Sequence, residues 1–165
     1  MPPIDRSDPP YETDERTMLE SWLEYHRATL ALKCEGLTDD QLRTRPIPPS
    51  GLSLIGLVRH MAEVELNWFR FWLGGEGPNP RYDDDEEFAV DNADVQDAFA
   101  YWRSECENAR TVLATFGSLD DVGAGQTVGA GISVRWTLVH MIEEYARHNG
   151  HADLLRETLD GTTGH

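Results

Sequence analysis

Apolar residues recur at three- and four-residue spacing through four long segments of the sequence, and this periodicity limits the chain to a helical fold. Such spacing places the apolar side chains along one stripe of an α-helix. The four segments span residues 13–36, 53–73, 94–116 and 133–159. Little of the remaining sequence has the alternation that is typical of β-strands. The pattern predicts an all-α four-helix bundle, a fold in which metal sites lie between facing helices.

Capping residues indicate where two of these helices begin and end. Ser53 is the expected N-cap of the second helix, and Gly74-Gly75 is its expected stop. Ser133 and Gly161 are the corresponding residues of the fourth helix. A serine hydroxyl can accept a hydrogen bond from an N–H group of the first helical turn, and glycine accepts the left-handed conformation in which many helices end.

The rest of the chain is expected to be a terminal arm, a short helical turn and long loops. Residues 1–12 are rich in proline and aspartate and predict an extended N-terminal arm, and residues 13–165 predict a single helical domain. Residues 37–43 predict a short extra helical turn. Residues 74–92 and the glycine-rich residues 122–131 predict long loops.

The chain is strongly acidic, with 30 acidic and 14 basic residues and a formal net charge of −16 at pH 7. This charge repels nucleic-acid phosphates and anionic lipid head groups, so neither nucleic acid nor a membrane is an expected partner. The acidic run at residues 83–87 predicts a solvated loop, because it lacks the glycine and the spaced oxygen ligands of a calcium-binding loop. No stretch has the length of a bilayer-spanning helix or the pattern of a signal peptide, and a cytoplasmic location is expected.

The cysteines and tryptophans are expected to be interior residues. Cys34 and Cys106 are too few for a disulfide scaffold and lack Cys-x-x-Cys spacing, so we expect two buried free thiols. The five tryptophans are expected in the core and at contacts between helices.

The most distinctive motif lies in the fourth helix and reads His140-Met-Ile-Glu-Glu144-Tyr-Ala-Arg-His148-Asn-Gly-His151. At about 100° per residue, its three histidines and Glu144 fall on one stripe of the helix. The stripe borders the apolar face, so these side chains are expected to point into the protein or into a pocket. Glu144 and His148 lie one turn apart, and both can therefore reach one metal ion.

His60 in the second helix is the candidate third ligand. It shares a helix face with Val64 and Phe71 and should also point inward. Two nitrogens and one oxygen would leave positions open for water or substrate, as in catalytic metal sites. The alternative is that His60 is a hydrogen-bonded core residue and that the Glu144/His148 spacing arises by chance. A metalloprotease is disfavoured, because Glu144 stands where a His-x-x-Glu-His motif needs its second histidine.

Two segments also resemble a known superfamily. They are residues 57–69, Leu-Val-Arg-His-Met-Ala-Glu-Val-Glu-Leu-Asn-Trp-Phe, and residues 133–157, which contain His-Met-Ile-Glu-Glu-Tyr-Ala-Arg-His-Asn-Gly-His. The chain resembles the DinB-like (YfiT-like) superfamily of four-helix-bundle metalloproteins over nearly its whole length. Within it, the chain is similar to the actinobacterial mini-circle-type branch and to the N-terminal domains of mycothiol-dependent maleylpyruvate isomerase. Carried over by position, the superfamily's metal ligands become His60, Glu144 and His148.

The resemblance implies a divalent metal ion, zinc or nickel, and a low-molecular-weight thiol such as mycothiol. The metal would lower the pKa of the thiol, and the thiolate would attack a small electrophile, so the implied function is a metal-dependent thiol transferase or isomerase. The 165 residues are expected to form a single domain without a counterpart to the C-terminal domain of the isomerase. The alternative is therefore a non-catalytic bundle that binds a metal or small ligand in a regulatory or stress-related role. A homodimer is also implied.

Five further residues are expected beside the ligands. His140 and His151 share the ligand stripe of the fourth helix, Glu63 and Asn67 lie on the second helix, and His26 lies on the first. We expect them to orient the ligands or to line the pocket. Two alternatives stay open at this point: His151 as a fourth ligand, and Glu63 as a solvated side chain.

Overall fold

The four periodic segments form the main helices of the protein. The computed structural model describes residues 4–77, 79–83, 86–125 and 131–164. Within these ranges the α-helices are α1 (Glu15–Cys34), α2 (Asp39–Arg43), α3 (Leu54–Glu65), α4 (Val95–Leu113) and α5 (Val134–Asp160). A π-helical segment, Leu66–Leu73, continues α3, and a 3₁₀ turn covers Glu86–Phe88. The all-α bundle with one short extra helix is confirmed.

The predicted N-caps Ser53 and Ser133 lie at the starts of α3 and α5, and Thr38 caps α2. The side chains of Thr38, Ser53 and Ser133 each accept a hydrogen bond from the N–H group of the third residue of the helix that follows. Gly161 ends α5 with a φ of 77°, a left-handed conformation that glycine adopts without steric cost. The helix boundaries are therefore set largely by local sequence.

Helix α3 lies at the centre of the bundle. Helix α1 packs against α5, and α3 and the π-helical segment pack against α4. Nine of the twelve residues of α3 are buried, among them Leu57 and Met61 with no exposed surface. Burial of one such side chain contributes about 1.5–3 kcal/mol relative to its exposure. Only His60, Glu63 and Val64 of α3 are half-exposed, and they mark the one side of this helix that faces a cleft.

The second predicted helix, residues 53–73, departs from α-helical geometry after Glu65. The buried residues Leu66, Phe69 and Leu73 of the π-helical segment are three and four residues apart. That spacing fits an α-helix as well as a π-helix, so periodicity does not distinguish the two. π-Helical turns inside α-helices are frequent at functional sites, and this one forms part of the cleft wall.

The tryptophans differ in how far they are buried. Trp102 is buried, whereas Trp22 and Trp136 expose 41% and 48% of their surface. Trp136 stacks on His140 with ring centroids 4.9 Å apart, and it also contacts Trp68 at 5.0 Å. Trp136 therefore lies at a contact between two helices, one of the two predicted kinds of position, in a surface cluster beside the cleft. Both cysteines are buried and free, as predicted.

The ends of the glycine-rich segment, residues 122–131, are hydrogen-bonded. The N–H group of Gly123 donates to the carbonyl of Ile132 at 2.9 Å, and that of Ala124 donates to the carbonyl of Leu73 at 3.0 Å. A Cβ atom on Gly123 would lie 2.4 Å from the Trp72 carbonyl oxygen, so this position requires glycine. Residues 126–130 lie outside the described residues. In the part of the chain that is described, no helix is long and apolar enough to cross a membrane.

Candidate metal centre

Three of the predicted ligands come together between α3 and α5. His60, Glu144 and His148, here called the triad, each place one ligand atom within 4.8 Å of the other two, and all three are half-buried. The His148 Nε2 atom lies 3.5 Å from Glu144 Oε2, and the ring centroids of His60 and His148 are 4.7 Å apart. Ligand atoms around a tetrahedral ion with bonds of about 2.1 Å lie about 3.4 Å apart. The triad therefore fits a metal ion with only small side-chain movements.

Glu87, which the sequence assigned to a solvated loop, orients His60. The Nδ1 atom of His60 lies 3.3 Å from Glu87 Oε1, and Phe88 stacks on the same ring with centroids 5.4 Å apart. Only 15% of the Glu87 side chain is exposed. A carboxylate at Nδ1 keeps the proton on that atom and leaves Nε2 free for a metal. The apolar residues Phe88 and Val90 after the acidic run were the available sign that its end turns inward.

His151 lies beside His148 and not at the centre of the triad. The two Nδ1 atoms are 3.4 Å apart, while Nε2 of His148 faces Glu144. Burial, with smaller effects from His60, His151 and Arg147, lowers the pKa of His148 to about 4. The ring is therefore neutral near pH 7, the state in which an imidazole nitrogen can bind a metal. The geometry favours His151 as an orienting neighbour over a fourth ligand.

His140 flanks the other side of Glu144. Its Nε2 atom lies 3.6 Å from Glu144 Oε1, and its Nδ1 atom lies 3.9 Å from Glu143 Oε2. The three residues form a second group whose ligand atoms lie within 4.8 Å of one another. The His140 ring packs between Trp68 and Trp136, with centroids 4.4 and 4.9 Å away. Glu144 thus has a histidine next to each of its two oxygens.

Glu63 and Asn67 lie on the same side of α3 and the π-helical segment as His60. Glu63 Oε1 accepts hydrogen bonds from the N–H group of Arg81 at 2.9 Å and from the Tyr101 hydroxyl at 3.1 Å. Burial raises the pKa of the Glu63 carboxyl group. Glu63 is therefore half-buried and hydrogen-bonded, and its contacts are with a loop and α4.

His26 lies apart from the triad. Asn149 Nδ2 donates to the carbonyl of His26 at 3.0 Å, and the His26 ring lies 5.9 Å from that of Trp22. Burial lowers the pKa of His26. The residue is not among those described as lining the cleft, and it connects α1 to α5 instead.

A cleft of about 940 Å³ opens beside the triad. Its first wall is the half-exposed stripe of α3 and the π-helical segment: His60, Glu63, Val64, Asn67, Trp68 and Phe71. Its second wall comes from the following loop and the 3₁₀ turn: Asn79, Pro80, Tyr82, Asp83 and Glu87. His60 and Glu87 belong both to the cleft and to the candidate metal centre, so a molecule in the cleft would lie next to a metal ion held by the triad.

Comparisons with known proteins agree with the helical fold and the resemblance to the DinB-like superfamily. The crystal structure of a conserved protein from Enterococcus faecalis matches with a TM-score of 0.66 and 18% sequence identity, over 92% of this chain and 100% of that chain. At this identity the likeness shows the fold alone. No curated protein matches the sequence. The family model described as Mycothiol-S-transferase matches residues 18–161, most of the chain. The chain therefore belongs to the mycothiol-S-transferase family.

Proposed function

We propose that this protein is a metal-dependent thiol transferase that joins mycothiol, or a similar low-molecular-weight thiol, to a small electrophile. The metal would be a divalent ion, zinc or nickel, held by His60, Glu144 and His148. The observation that carries the proposal is the convergence of two imidazoles and one carboxylate at the edge of a cleft. Membership of a family named for mycothiol transfer supports the choice of thiol.

The ligand set suits the proposed metals. Imidazole nitrogens and a carboxylate oxygen bind zinc and nickel well, and three protein ligands leave a position for a substrate. A bound divalent ion would supply Lewis acidity that lowers the pKa of a coordinated thiol, so that thiolate forms near neutral pH.

The side chains around the triad would hold the ligands in place. Each proposed ligand has an orienting neighbour, and the pairs are Glu87 with His60, His151 with His148, and His140 with Glu144. Such neighbours fix the ring nitrogen or carboxylate oxygen that faces the metal.

The cleft would receive the second substrate. Trp68 and Phe71 form an apolar wall on which a small electrophile can lie, close to His60. In the transfer, the thiol proton passes to solvent, sulfur forms a bond to the electrophilic carbon, and a leaving group such as chloride departs from that carbon.

Metal analysis and thiol consumption test the proposal together. Protein purified without an affinity tag should hold about one zinc or nickel ion per chain, and His60→Ala should lose that ion. His26→Ala is the matched control, because it removes a half-buried histidine outside the triad and should keep the metal. With mycothiol and 1-chloro-2,4-dinitrobenzene, the metal-loaded protein should consume thiol and the His60→Ala variant should not.

Equal metal content in wild-type and His60→Ala protein would show that the ligand assignment is wrong. Stoichiometric metal without thiol consumption would instead favour the alternative, a bundle that binds a metal or small ligand without turnover.

A further inference from the structure

The cleft beside the triad is lined by carboxylates and aromatic rings. Glu63, Asp83 and Glu87 line it from both walls, and Glu144 lies close to His60 in the triad. Among the residues described as lining the cleft there is no lysine or arginine. The described residues of the second wall lie between Asn79 and Glu87, and the sequence of residues 74–92 contains one basic residue, Arg81. These four carboxylates carry a formal charge of −4 when ionised, and a divalent ion held by the triad would offset only half of it. The lining therefore keeps a net negative charge that no basic side chain of the wall offsets.

Two arginines contact the Tyr82 ring, but neither is among the described residues that line the cleft. The Arg59 guanidinium lies 4.1 Å from the centre of that ring and donates to two backbone carbonyls, at 2.8 and 3.1 Å. The Arg81 guanidinium lies 5.8 Å from the ring and is paired with Asp97 at 2.5 Å. Both cations are paired with other groups, Arg59 with backbone carbonyls and Arg81 with Asp97. They do not provide a site for a carboxylate or a phosphate.

The aromatic side chains give the cleft a flat apolar lining. Trp68, Phe71 and Tyr82 line it. The Trp68 ring also contacts the rings of Trp136 and His140. Faces of such rings attract cations as well as planar apolar groups. Ring faces and carboxylates therefore both favour a cationic ligand over an anionic one.

From these contacts we infer that the cleft selects the electrophile by charge: it accepts small planar apolar molecules that are neutral or cationic and rejects those that carry a carboxylate or phosphate. The inference rests on the proposed thiol transfer, because it names the class of the second substrate at the same site. A negatively charged cleft lowers the local concentration of anions and raises that of cations. Glu63 and Asp83 would set this preference, since neither belongs to the triad or orients a ligand of it.

A series of 2-chloroacetanilides tests the inference. Para carboxylate, carboxamide and trimethylammonium groups change the charge of the ring at a distance from the reacting carbon. Each reaction is the same: sulfur bonds to that carbon, chloride leaves, and the thiol proton passes to buffer. With mycothiol and metal-loaded protein, kcat/KM divided by the uncatalysed rate constant should be about 10- to 100-fold lower for the carboxylate than for the carboxamide. The trimethylammonium compound should equal or exceed the carboxamide.

Two variants show where the preference arises. In the Glu63→Gln, Asp83→Asn double variant the ratio between carboxamide and carboxylate should fall at least about threefold, and added salt should reduce it in the wild type. Gln at position 63 keeps an oxygen that can accept from Arg81 and Tyr101. Glu107→Gln on α4 is the matched control, because its side chain is 73% exposed and does not line the cleft. It should leave the ratio unchanged.

Binding of the unreactive acetanilides, followed by tryptophan fluorescence without thiol, separates this inference from the proposed function. Binding in the same charge order without turnover of any chloroacetanilide would overturn the transferase and support the cleft selectivity. Turnover with equal normalised kcat/KM for carboxylate and carboxamide would overturn the selectivity and leave the transferase standing. If no member binds or reacts, the inference is wrong.

Discussion

Two polar clusters of this protein each contain a glutamate but differ in how fully their groups are paired. The first, here called the interior network, joins α1, α3, α4 and α5. Arg27 donates two hydrogen bonds to Glu65, at 2.7 and 2.5 Å, and the Tyr145 hydroxyl donates to the same carboxylate at 2.7 Å. Trp102 Nε1 donates to the Tyr145 oxygen at 2.9 Å. Glu65 and Tyr145 have no exposed surface.

The triad presents the opposite arrangement. The side chains of His60, Glu144 and His148 remain 12–23% exposed. Their facing atoms are farther apart than in an ordinary hydrogen bond, as in the 3.5 Å between His148 Nε2 and Glu144 Oε2. Their lone pairs converge on a common point at the edge of a cleft. A buried cluster whose donors and acceptors satisfy one another stabilises a fold, whereas an accessible cluster whose acceptors converge is suited to a ligand. The difference separates a structural carboxylate, Glu65, from a candidate ligand, Glu144.

The comparison is tested most strongly at Glu65. We expect Glu65→Gln to lower the free energy of unfolding by about 3–5 kcal/mol, because it leaves the Arg27 guanidinium buried without a carboxylate. Glu24→Gln is the matched control: Glu24 also pairs with Arg27, but 45% of its side chain is exposed, and about 1 kcal/mol or less is expected. Urea unfolding of both variants measures the effect. Equal losses of unfolding free energy in the two variants would contradict the prediction, because they would show that the buried Arg27–Glu65 pair contributes no more than the exposed Arg27–Glu24 pair.

A substitution beside the triad should affect metal binding more than folding. Glu87→Gln replaces the carboxylate that faces His60 Nδ1 with a neutral amide and so weakens the interaction that orients the ring. We expect the metal affinity to fall about 10- to 100-fold with little change in stability. Glu86→Gln, one residue earlier in the same 3₁₀ turn, removes the same charge from an exposed side chain and should leave the affinity unchanged. Competition with a chelator gives both affinities. Equal losses in the two variants would indicate a charge effect and not orientation of His60.

The smallest expected effect concerns pH and the metal-free protein. The pKa of His148 is lowered by burial from 6.5 to about 4, so the unfolded chain binds a proton at this site before the folded chain does. Stability is therefore complete above pH 6.5 and is lost as the pH falls toward 4. After allowance for the half-exposed site, wild type should lose about 1–2 kcal/mol more than His148→Gln across this range. Thermal unfolding of metal-free protein at several pH values measures it, and parallel pH profiles would contradict the prediction.

Local sequence accounts for most of the fold and for the core of the candidate site. The caps at Ser53 and Ser133 depend on residues three positions apart, and the Glu144/His148 pair depends on a single turn of helix. An inward position for His60 follows from its place on an apolar face. The cytoplasmic location, the homodimer and the division at residue 12 stay predictions.

The parts that the sequence did not predict depend on contacts between distant segments. Glu87 reaches His60 because the chain after the acidic run turns inward at Phe88 and Val90. The acidic composition of the run predicts a solvated loop, so composition alone does not predict this turn. The half-exposed position of Trp136 depends on Trp68 and His140, which complete an aromatic cluster outside the core. Spacing within one segment contains no information about either contact.

The burial of the two free cysteines has a consequence for the working lifetime of such a protein. Burial raises the pKa of Cys34 to about 12 and that of Cys106 further, with Glu65 adding to the second shift. Neither thiol ionises near neutral pH, and neither is accessible. A protein that brings alkylating agents to an activated thiol risks inactivating itself through its own cysteines. Here the fold suppresses that side reaction, and under the proposed function the small-molecule thiol would remain the nucleophile that reacts.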